Sequence, residues 1–153
     1  MSSIKSYYNR LFTLLLISTL YIYSGHAMAQ QKAGPFKIVE IKGVSVFGQS
    51  VDNQTRCVHW HSDLDIIAIK FKCCEKYYPC FSCHEEEADH KHQVWPKKEF
   101  DQKAILCGVC GTELSIKDYM ASNNTCPNCQ SAFNPGCSKH YHLYFETDEK
   151  KKE

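Results

Sequence analysis

Apolar and polar positions alternate most clearly in residues 65–72, DIIAIKFK. Ile67, Ile69 and Phe71 take turns there with a small residue and two lysines. Such an alternation with a period of two predicts a β-strand with one buried face. This strand leads directly into a pair of adjacent cysteines.

Weaker patterns predict the remaining elements. Residues 36–49, FKIVEIKGVSVFGQ, are rich in Val and Ile and predict one or two short strands. Residues 115–121, SIKDYMA, predict a short helix capped by Ser115. Residues 140–146, HYHLYFE, predict a final strand. Outside these segments and the N-terminus, apolar residues are few and scattered.

The N-terminal segment is typical of a targeting sequence. Lys5 and Arg10 precede an apolar run at 11–23, and Ala27 and Ala29 supply the small residues of a cleavage site. This order predicts a secretory signal peptide, because a membrane span needs about 20 apolar residues. We therefore expect export, to a periplasm or to the outside. The alternatives are an uncleaved membrane anchor and a mitochondrial route to the intermembrane space.

In the composition, the cysteine content is informative about function, whereas the net charge is not. All ten cysteines lie between Cys57 and Cys137, in a chain of 153 residues with eight histidines. The 18 basic and 17 acidic residues nearly cancel. Nucleic-acid binding is not expected, because it normally needs a basic surface.

The densest cluster is Cys73–His90, in which four cysteines and two histidines follow the pattern C-C-x5-C-x2-C-H-x5-H. Thiolate and imidazole are the ligands that tetrahedral zinc prefers. Six ligands exceed the four that one zinc accepts, so the segment predicts two sites, with Cys57 and His59 the nearest further ligands. The alternative is a disulfide cluster, in which histidine would have no part.

The acidic stretch between the two histidines, HEEEADH, has helical composition. His84 and His90 are about 1.7 turns apart and would not share a face of one straight helix. If both bind one metal, the helix must end between them. The acids are interpreted as a solvated first helical turn, which the helix dipole favours.

A second cluster has the spacing C-x2-C-x15-C-x2-C, which is typical of zinc ribbons and knuckles. Gly108 and Gly111 suit tight turns around its first pair. Redox-active C-x-x-C pairs are the competing interpretation, but no long helix pattern follows either pair. With so little apolar sequence, we predict a small α+β zinc-finger fold, stabilised by metal, with short strands, zinc knuckles and one or two short helices.

Together these motifs resemble the CHY-type zinc finger family, with Trp60 in place of the family's tyrosine. The resemblance covers residues 46–146 and is closest to short stand-alone members, which occur in bacteria and, in eukaryotes, as helpers of the small Tim chaperones of the mitochondrial intermembrane space. The matching stretches are 52–61 (DNQTRCVHWH), 65–74 (DIIAIKFKCC), 77–84 (YYPCFSCH), 103–111 (KAILCGVCG) and 133–146 (FNPGCSKHYHLYFE).

The resemblance implies three zinc ions with interleaved ligands. Its pattern assigns four residues to each of three sites: site 1 is Cys57, His59, Cys80 and Cys83; site 2 is Cys73, Cys74, His84 and His90; site 3 is Cys107, Cys110, Cys126 and Cys129. Four further residues are candidates for a fourth metal: His61, Cys137, His140 and His142. The alternative for these is a buried or free thiol beside surface histidines.

The predicted organisation is a signal peptide at 1–29, a linker and short strand at 30–45, the CHY-type zinc-binding domain at 46–146 and a charged tail at 147–153. Closed four-ligand sites are structural, so we expect no enzyme but a zinc-binding module for a protein partner, or for the metal and redox handling of other proteins. The alternative is a thiol–disulfide oxidoreductase, or a zinc enzyme at an open fourth site.

Overall fold

A six-stranded sheet forms the frame of the protein in the computed structural model, which describes residues 35–148. The sheet order is β1-β2-β4-β3-β5-β6. β4 lies parallel to β2, and every other neighbouring pair is antiparallel. The strands are β1 (Phe36–Ile41), β2 (Val44–Gln49), β3 (Ile67–Lys70), β4 (Tyr77–Tyr78), β5 (Lys103–Cys107) and β6 (Glu113–Ser115).

The helices are short. Helix α1 spans Phe81–Glu87 and α2 spans Ile116–Ala121. Two 3-10 helices span Lys97–Glu99, before β5, and Pro135–Leu143, after α2. The Ser115 hydroxyl accepts a hydrogen bond from the Asp118 amide, which confirms it as the cap of α2. Within residues 35–148, six strands with two short α-helices confirm the predicted small α+β class.

The sheet is covered by apolar groups on both faces. The larger cluster holds most of the buried aromatic residues, and a smaller one lies around Ile41, Val46 and Leu106. β3 contributes to both: Ile67 and Ile69 belong to the larger cluster and Ala68, fully buried, to the smaller. The prediction of one buried face for this strand is therefore wrong, because the alanine packs under the β1-β2 hairpin.

The C-terminal segment is not the predicted strand. Residues 135–143 form a 3-10 helix that starts with Pro135, whose fixed φ suits a first helical position. Asn134 caps this helix by accepting a hydrogen bond from the Gly136 amide at 2.8 Å. Only Phe145, beyond the helix, forms a single bridge, with Trp95. The turn chemistry at Asn134-Pro135 outweighs the aromatic content that indicated a strand.

The predicted leader at 1–29 lies outside the described residues, and so does the end of the charged tail. Within residues 35–148, no helix is long and apolar enough to cross a membrane.

Candidate metal centre

Three groups of four ligands form in the described part of the chain. In each group, one atom from every cysteine and histidine lies within 4.8 Å of the corresponding atoms of the others. The groups are the same three sets that the family pattern assigned to sites 1, 2 and 3. They agree with the predicted number of three zinc ions.

The β1-β2 hairpin and a tight loop position the first ligands of site 1. The Asp52 carboxylate accepts hydrogen bonds from the backbone amides of Gln54 and Arg56 at 2.8 and 2.9 Å, which closes the loop just before Cys57. The Cys57 amide then donates to the Trp60 carbonyl at 2.9 Å, so His59 turns back toward the cysteine.

The other two ligands of site 1 come from the start of α1. Cys80 is the N-cap of this helix, and its sulfur accepts a hydrogen bond from the Cys83 amide at 3.4 Å. Cys83 and His84 are neighbours in the helix, where successive side chains diverge by about 100°. One helix therefore supplies consecutive residues to two different sites.

The distances within site 1 fit a tetrahedral zinc. Zn–S bonds of about 2.3 Å and Zn–N bonds of about 2.0–2.1 Å imply S···S edges of about 3.8 Å and S···N edges of about 3.5 Å. Cys57 Sγ and Cys80 Sγ are 3.7 Å apart. His59 Nδ1 lies 3.9, 3.5 and 3.4 Å from the sulfurs of Cys57, Cys80 and Cys83.

Site 3 fits the same test. The sulfurs of Cys107 and Cys129 are 3.8 Å apart, and so are those of Cys110 and Cys126. A disulfide would need about 2.05 Å. All ten cysteines are free thiols, which excludes a disulfide cluster in this structure.

Site 3 is built from two matching knuckles. In each, the amide that follows the second cysteine donates back to the first: Gly111 to the Cys107 carbonyl at 2.8 Å and Gln130 to the Cys126 carbonyl at 2.9 Å. Both donors have a left-handed backbone, with φ of 76° and 62°. Glycine adopts this φ freely. The prediction of tight turns at the first pair is confirmed.

Site 2 lies between β3 and the far side of α1. Cys73 and Cys74 occupy the turn after β3, and Cys73 Sγ is 3.3 Å from His84 Nε2. His84 is fully buried and stacks on the Phe71 ring at 4.0 Å. His90 lies beyond the end of α1 at Glu87, which confirms that the helix ends between the two histidines.

The acidic stretch has a different place from the one predicted. Its glutamates lie in the second half of α1, and the first turn of the helix contains no acid. Three of its carboxylates each contact a ring nitrogen of one histidine of sites 1 and 2. Glu86 lies 3.1 Å from His59 Nε2, Glu85 lies 3.2 Å from His84 Nδ1, and Asp89 lies 3.1 Å from His90 Nδ1.

Such carboxylates fix the orientation of a zinc-bound histidine and make it a better ligand. The placement of the acids in the first helical turn is therefore wrong. They are exposed to solvent, as expected, but Glu85, Glu86 and Asp89 also lie beside the histidines of the sites. The signal that could have revealed this is in the sequence: an acid stands directly beside both His84 and His90.

The pKa values of the three cysteines of site 1 differ strongly, because their thiols are hydrogen-bonded to one another. Hydrogen bonds from Cys80 and Cys83 lower the pKa of Cys57 to about 2. The bond to Cys57 raises the pKa of Cys83 to about 12, and that of Cys80 well above its usual range. Zinc must therefore displace protons when it binds here.

The four candidates for a fourth metal are not brought together. Among residues 35–148, no group of three or more ligands includes His61, Cys137, His140 or His142. Cys137 and His140 instead line a cavity of about 450 Å³ next to Cys80, together with Trp60 and Tyr141. Burial raises the pKa of the Cys137 thiol. The described residues give this fourth site no support.

Comparison with known proteins identifies the family of the chain. The model of the CHY zinc finger family matches residues 57–141. The chain belongs to the CHY zinc finger family.

Three relatives of this CHY zinc finger match it along about nine-tenths of their own length. Helper of Tim protein 13 from Saccharomyces cerevisiae is 50% identical over 105 residues, which are 67% of this chain and 90% of the relative. Helper of Tim protein 13 from Kluyveromyces lactis is 44% identical over 104 residues, covering 68% and 90% of the two chains. An uncharacterized protein from Schizosaccharomyces pombe is 40% identical over 102 residues, 67% of this chain and 89% of its own. The predicted resemblance to short stand-alone members is confirmed.

Proposed function

We propose that the twelve residues of sites 1, 2 and 3 are the ligands of three zinc ions, and that these sites do no catalysis. The observation that carries the proposal is the complete set of four ligands in each group, with distances in sites 1 and 3 that fit a tetrahedral zinc. A catalytic zinc normally keeps one position open for water or substrate, whereas a structural zinc has four protein ligands.

Native mass spectrometry of the full chain tests this. We expect three zinc ions with ten reduced cysteines. Cys129→Ala should remove the zinc of site 3 alone, because sites 1 and 2 take their ligands from a different segment. Cys137→Ala, the matched control outside the three sites, should keep all three. Loss of every zinc in Cys129→Ala, or loss of one in Cys137→Ala, would contradict the assignment.

The role of the module is to act on another protein: it binds a protein partner and assists that partner's handling of metal or of its thiols. Support comes from the relatives named Helper of Tim protein 13, since the chain covers 90% of their length at 44–50% identity. Partners of the Tim type fit those names. The same relatives favour the mitochondrial intermembrane space over export.

Two measurements test this role. In one mixture the zinc-loaded chain meets a reduced, metal-free Tim-type protein; in a second, the metal-free chain meets a zinc-loaded Tim-type protein. We expect native mass spectra to show a complex and a net transfer of zinc in one direction. No complex and no transfer in either direction would refute the role.

Fractionation of the source cell, followed by N-terminal sequencing, separates the locations: a secreted chain starting at Gln30 would favour the signal peptide.

The enzymatic alternatives have less support. Each C-x-x-C pair belongs to one of the three groups, so a bound zinc would occupy its thiolates. We therefore expect zinc-loaded protein to lack dithiol–disulfide exchange activity toward a reporter disulfide. Activity that persists with three zinc ions bound would favour the oxidoreductase alternative.

A further inference from the structure

The three sites differ in how open they are. Of the twelve ligand residues, His90 in site 2 is the one that is exposed, with 37% of its side chain accessible. Cys73 and Cys74 in the same site are half-buried. Site 1 has three buried ligands and site 3 has two, and neither has an exposed one. An incoming ligand therefore reaches site 2 with the least displacement of protein.

His90 is also the ligand with the weakest attachment. It lies in the segment 88–94, between the end of α1 and Trp95, which has no helix or strand. Within residues 35–148, no backbone amide from 89 to 94 donates to a backbone carbonyl. The hydrogen-bond partner of the His90 ring is Asp89, which is itself fully exposed. Removing His90 from the site breaks that hydrogen bond and an edge-to-face ring contact with His84 at 5.2 Å, and no backbone pairing of the segment 89–94.

The other ligands of site 2 are held without the metal. His84 lies between the Phe71 ring, stacked at 4.0 Å, and the Tyr78 ring at 5.1 Å. The turn that carries Cys73 and Cys74 is closed by two backbone hydrogen bonds of Phe71, from the Glu75 amide at 2.8 Å and to the Lys76 carbonyl at 3.0 Å. Three of the four ligands of site 2 therefore keep their positions when its zinc leaves, and can bind a zinc ion again.

The number of thiolates in each site also indicates that site 2 binds zinc least strongly. With deprotonated cysteines and neutral histidines, the two thiolates of site 2 balance one Zn²⁺, whereas the three of site 1 and the four of site 3 leave net charges of −1 and −2. Each additional thiolate adds Coulombic attraction to the ion. Thiolate is also the softer ligand, which favours zinc over competing hard ions. Zinc in site 2 therefore has the least attraction to the protein.

We propose that site 2 is the position at which zinc enters and leaves the folded protein, and that His90 is the ligand that an incoming thiolate replaces first. This rests on the proposed function in metal handling. In the forward direction, an acceptor thiol loses its proton and its sulfur takes the corner that neutral His90 leaves. A second acceptor thiol then loses its proton and its sulfur replaces Cys73 on the zinc, while two water molecules replace Cys74 and neutral His84. Cys73 and Cys74 take up the two protons that the acceptor thiols lost, and the zinc leaves with two acceptor thiolates and two waters. Nothing is oxidised or reduced.

Pulsed alkylation of the zinc-loaded full chain identifies the site that opens first. EDTA is added, free thiols are trapped with N-ethylmaleimide at successive times, and peptide mapping assigns each trapped cysteine. We expect Cys73 and Cys74 to be modified before the cysteines of sites 1 and 3. Prior modification of either other site would overturn the proposal, and so would modification of all sites at a single rate, which is the sign of global unfolding.

Variants of the exposed ligand test its role. His90→Ala should speed alkylation of Cys73 and Cys74 by about tenfold or more, since even an outer partner of a ligand is worth about 10–100-fold in metal affinity. His90→Cys should slow it, because it adds a thiolate. Gln93→Ala, on the same exposed segment, is the matched control and should leave the rate unchanged. Equal rates in all three variants would overturn the role of His90.

A reduced dithiol peptide in place of EDTA separates this inference from the proposed function. If EDTA frees Cys73 and Cys74 first but the peptide takes no zinc, the exchange site is supported and the function in metal handling fails. If the peptide takes zinc while the first thiols freed belong to site 1 or site 3, the function is supported and the exchange site is overturned.

Discussion

Gly108 is the residue at which site 3 touches the loop before site 1. A Cβ atom at this position would lie 2.3 Å from the Gln54 carbonyl oxygen and 2.8 Å from Thr55 Oγ1, where about 3.4 Å is ordinary contact. The obstacle is mainly backbone and cannot rotate away. The Gly108 amide also donates to the Ile66 carbonyl at 2.8 Å, so the knuckle cannot move without losing that bond.

Gly108→Ala should therefore be strongly destabilising. Forcing an atom into a filled space costs about 1–3 kcal/mol, and the weakened hydrogen bond adds about 0.5–1.5 kcal/mol. In a domain of this size the loss lowers the melting temperature by roughly 10 °C. The assay is thermal unfolding of zinc-saturated protein followed by circular dichroism, with competition by a chromophoric chelator to measure the affinity of site 3.

Gly43→Ala is the matched control, because it separates crowding from backbone strain. Its added Cβ would meet nothing within 4 Å, but its φ is +89°. The expected cost is only the left-handed strain of about 1–2 kcal/mol, with zinc binding unchanged. If Gly108→Ala melts no lower than Gly43→Ala, the contact between the knuckle and the loop is not what makes glycine necessary.

Three further predictions concern the metal and the buried tyrosines. Glu86→Gln should weaken zinc binding at site 1 by about 10–100-fold, because it removes the carboxylate at His59 Nε2; chelator competition measures this, and Glu87→Gln, on the same helix, should bind as the wild type does. Removing all zinc should abolish dispersed amide signals in NMR spectra, and adding zinc back under reducing conditions should restore them; a folded, oxidised, metal-free protein would contradict the metal-dependent fold. Burial raises the pKa of both Tyr77 and Tyr119. Above about pH 10 the unfolded chain loses tyrosine protons that the folded chain keeps, so stability should fall as pH rises; absorbance at 295 nm during an alkaline titration would refute this if both tyrosines ionised near pH 10 in folded protein.

The sequence was most informative where one residue had one clear physical role. The cap at Ser115 and the end of α1 before His90 followed from hydrogen bonding and helical geometry, and both are confirmed. The pairing of ligands into sites did not follow from spacing. Cys83 and His84 are adjacent yet belong to different groups. That division depends on the direction of side chains in the folded helix, and only the family pattern supplied it.

What the sequence did not reveal depends on tertiary contacts. Ala68 is buried because the β1-β2 hairpin covers the second face of the sheet, which local alternation cannot express. Residues 140–146 have strand-like composition, but the Asn134-Pro135 cap and the packing of Tyr141 and Tyr144 select a 3-10 helix. The cavity beside Cys80 forms only where this helix meets β3, so no single segment encodes it.

The order of the ligands along the chain separates the protein into two complementary fragments. All ligands of sites 1 and 2 precede residue 91, and all those of site 3 follow residue 106. A cut in the exposed residues 93–94 would leave every ligand set whole. The main seam between the fragments would be the pairing of β3 with β5, where Ile67, Ala68 and Ile69 face Cys107, Leu106 and Ile105. Each half would then keep the complete ligand sets of its own sites, so a broken chain would lose the continuity of its sheet and core before it lost a ligand from any site.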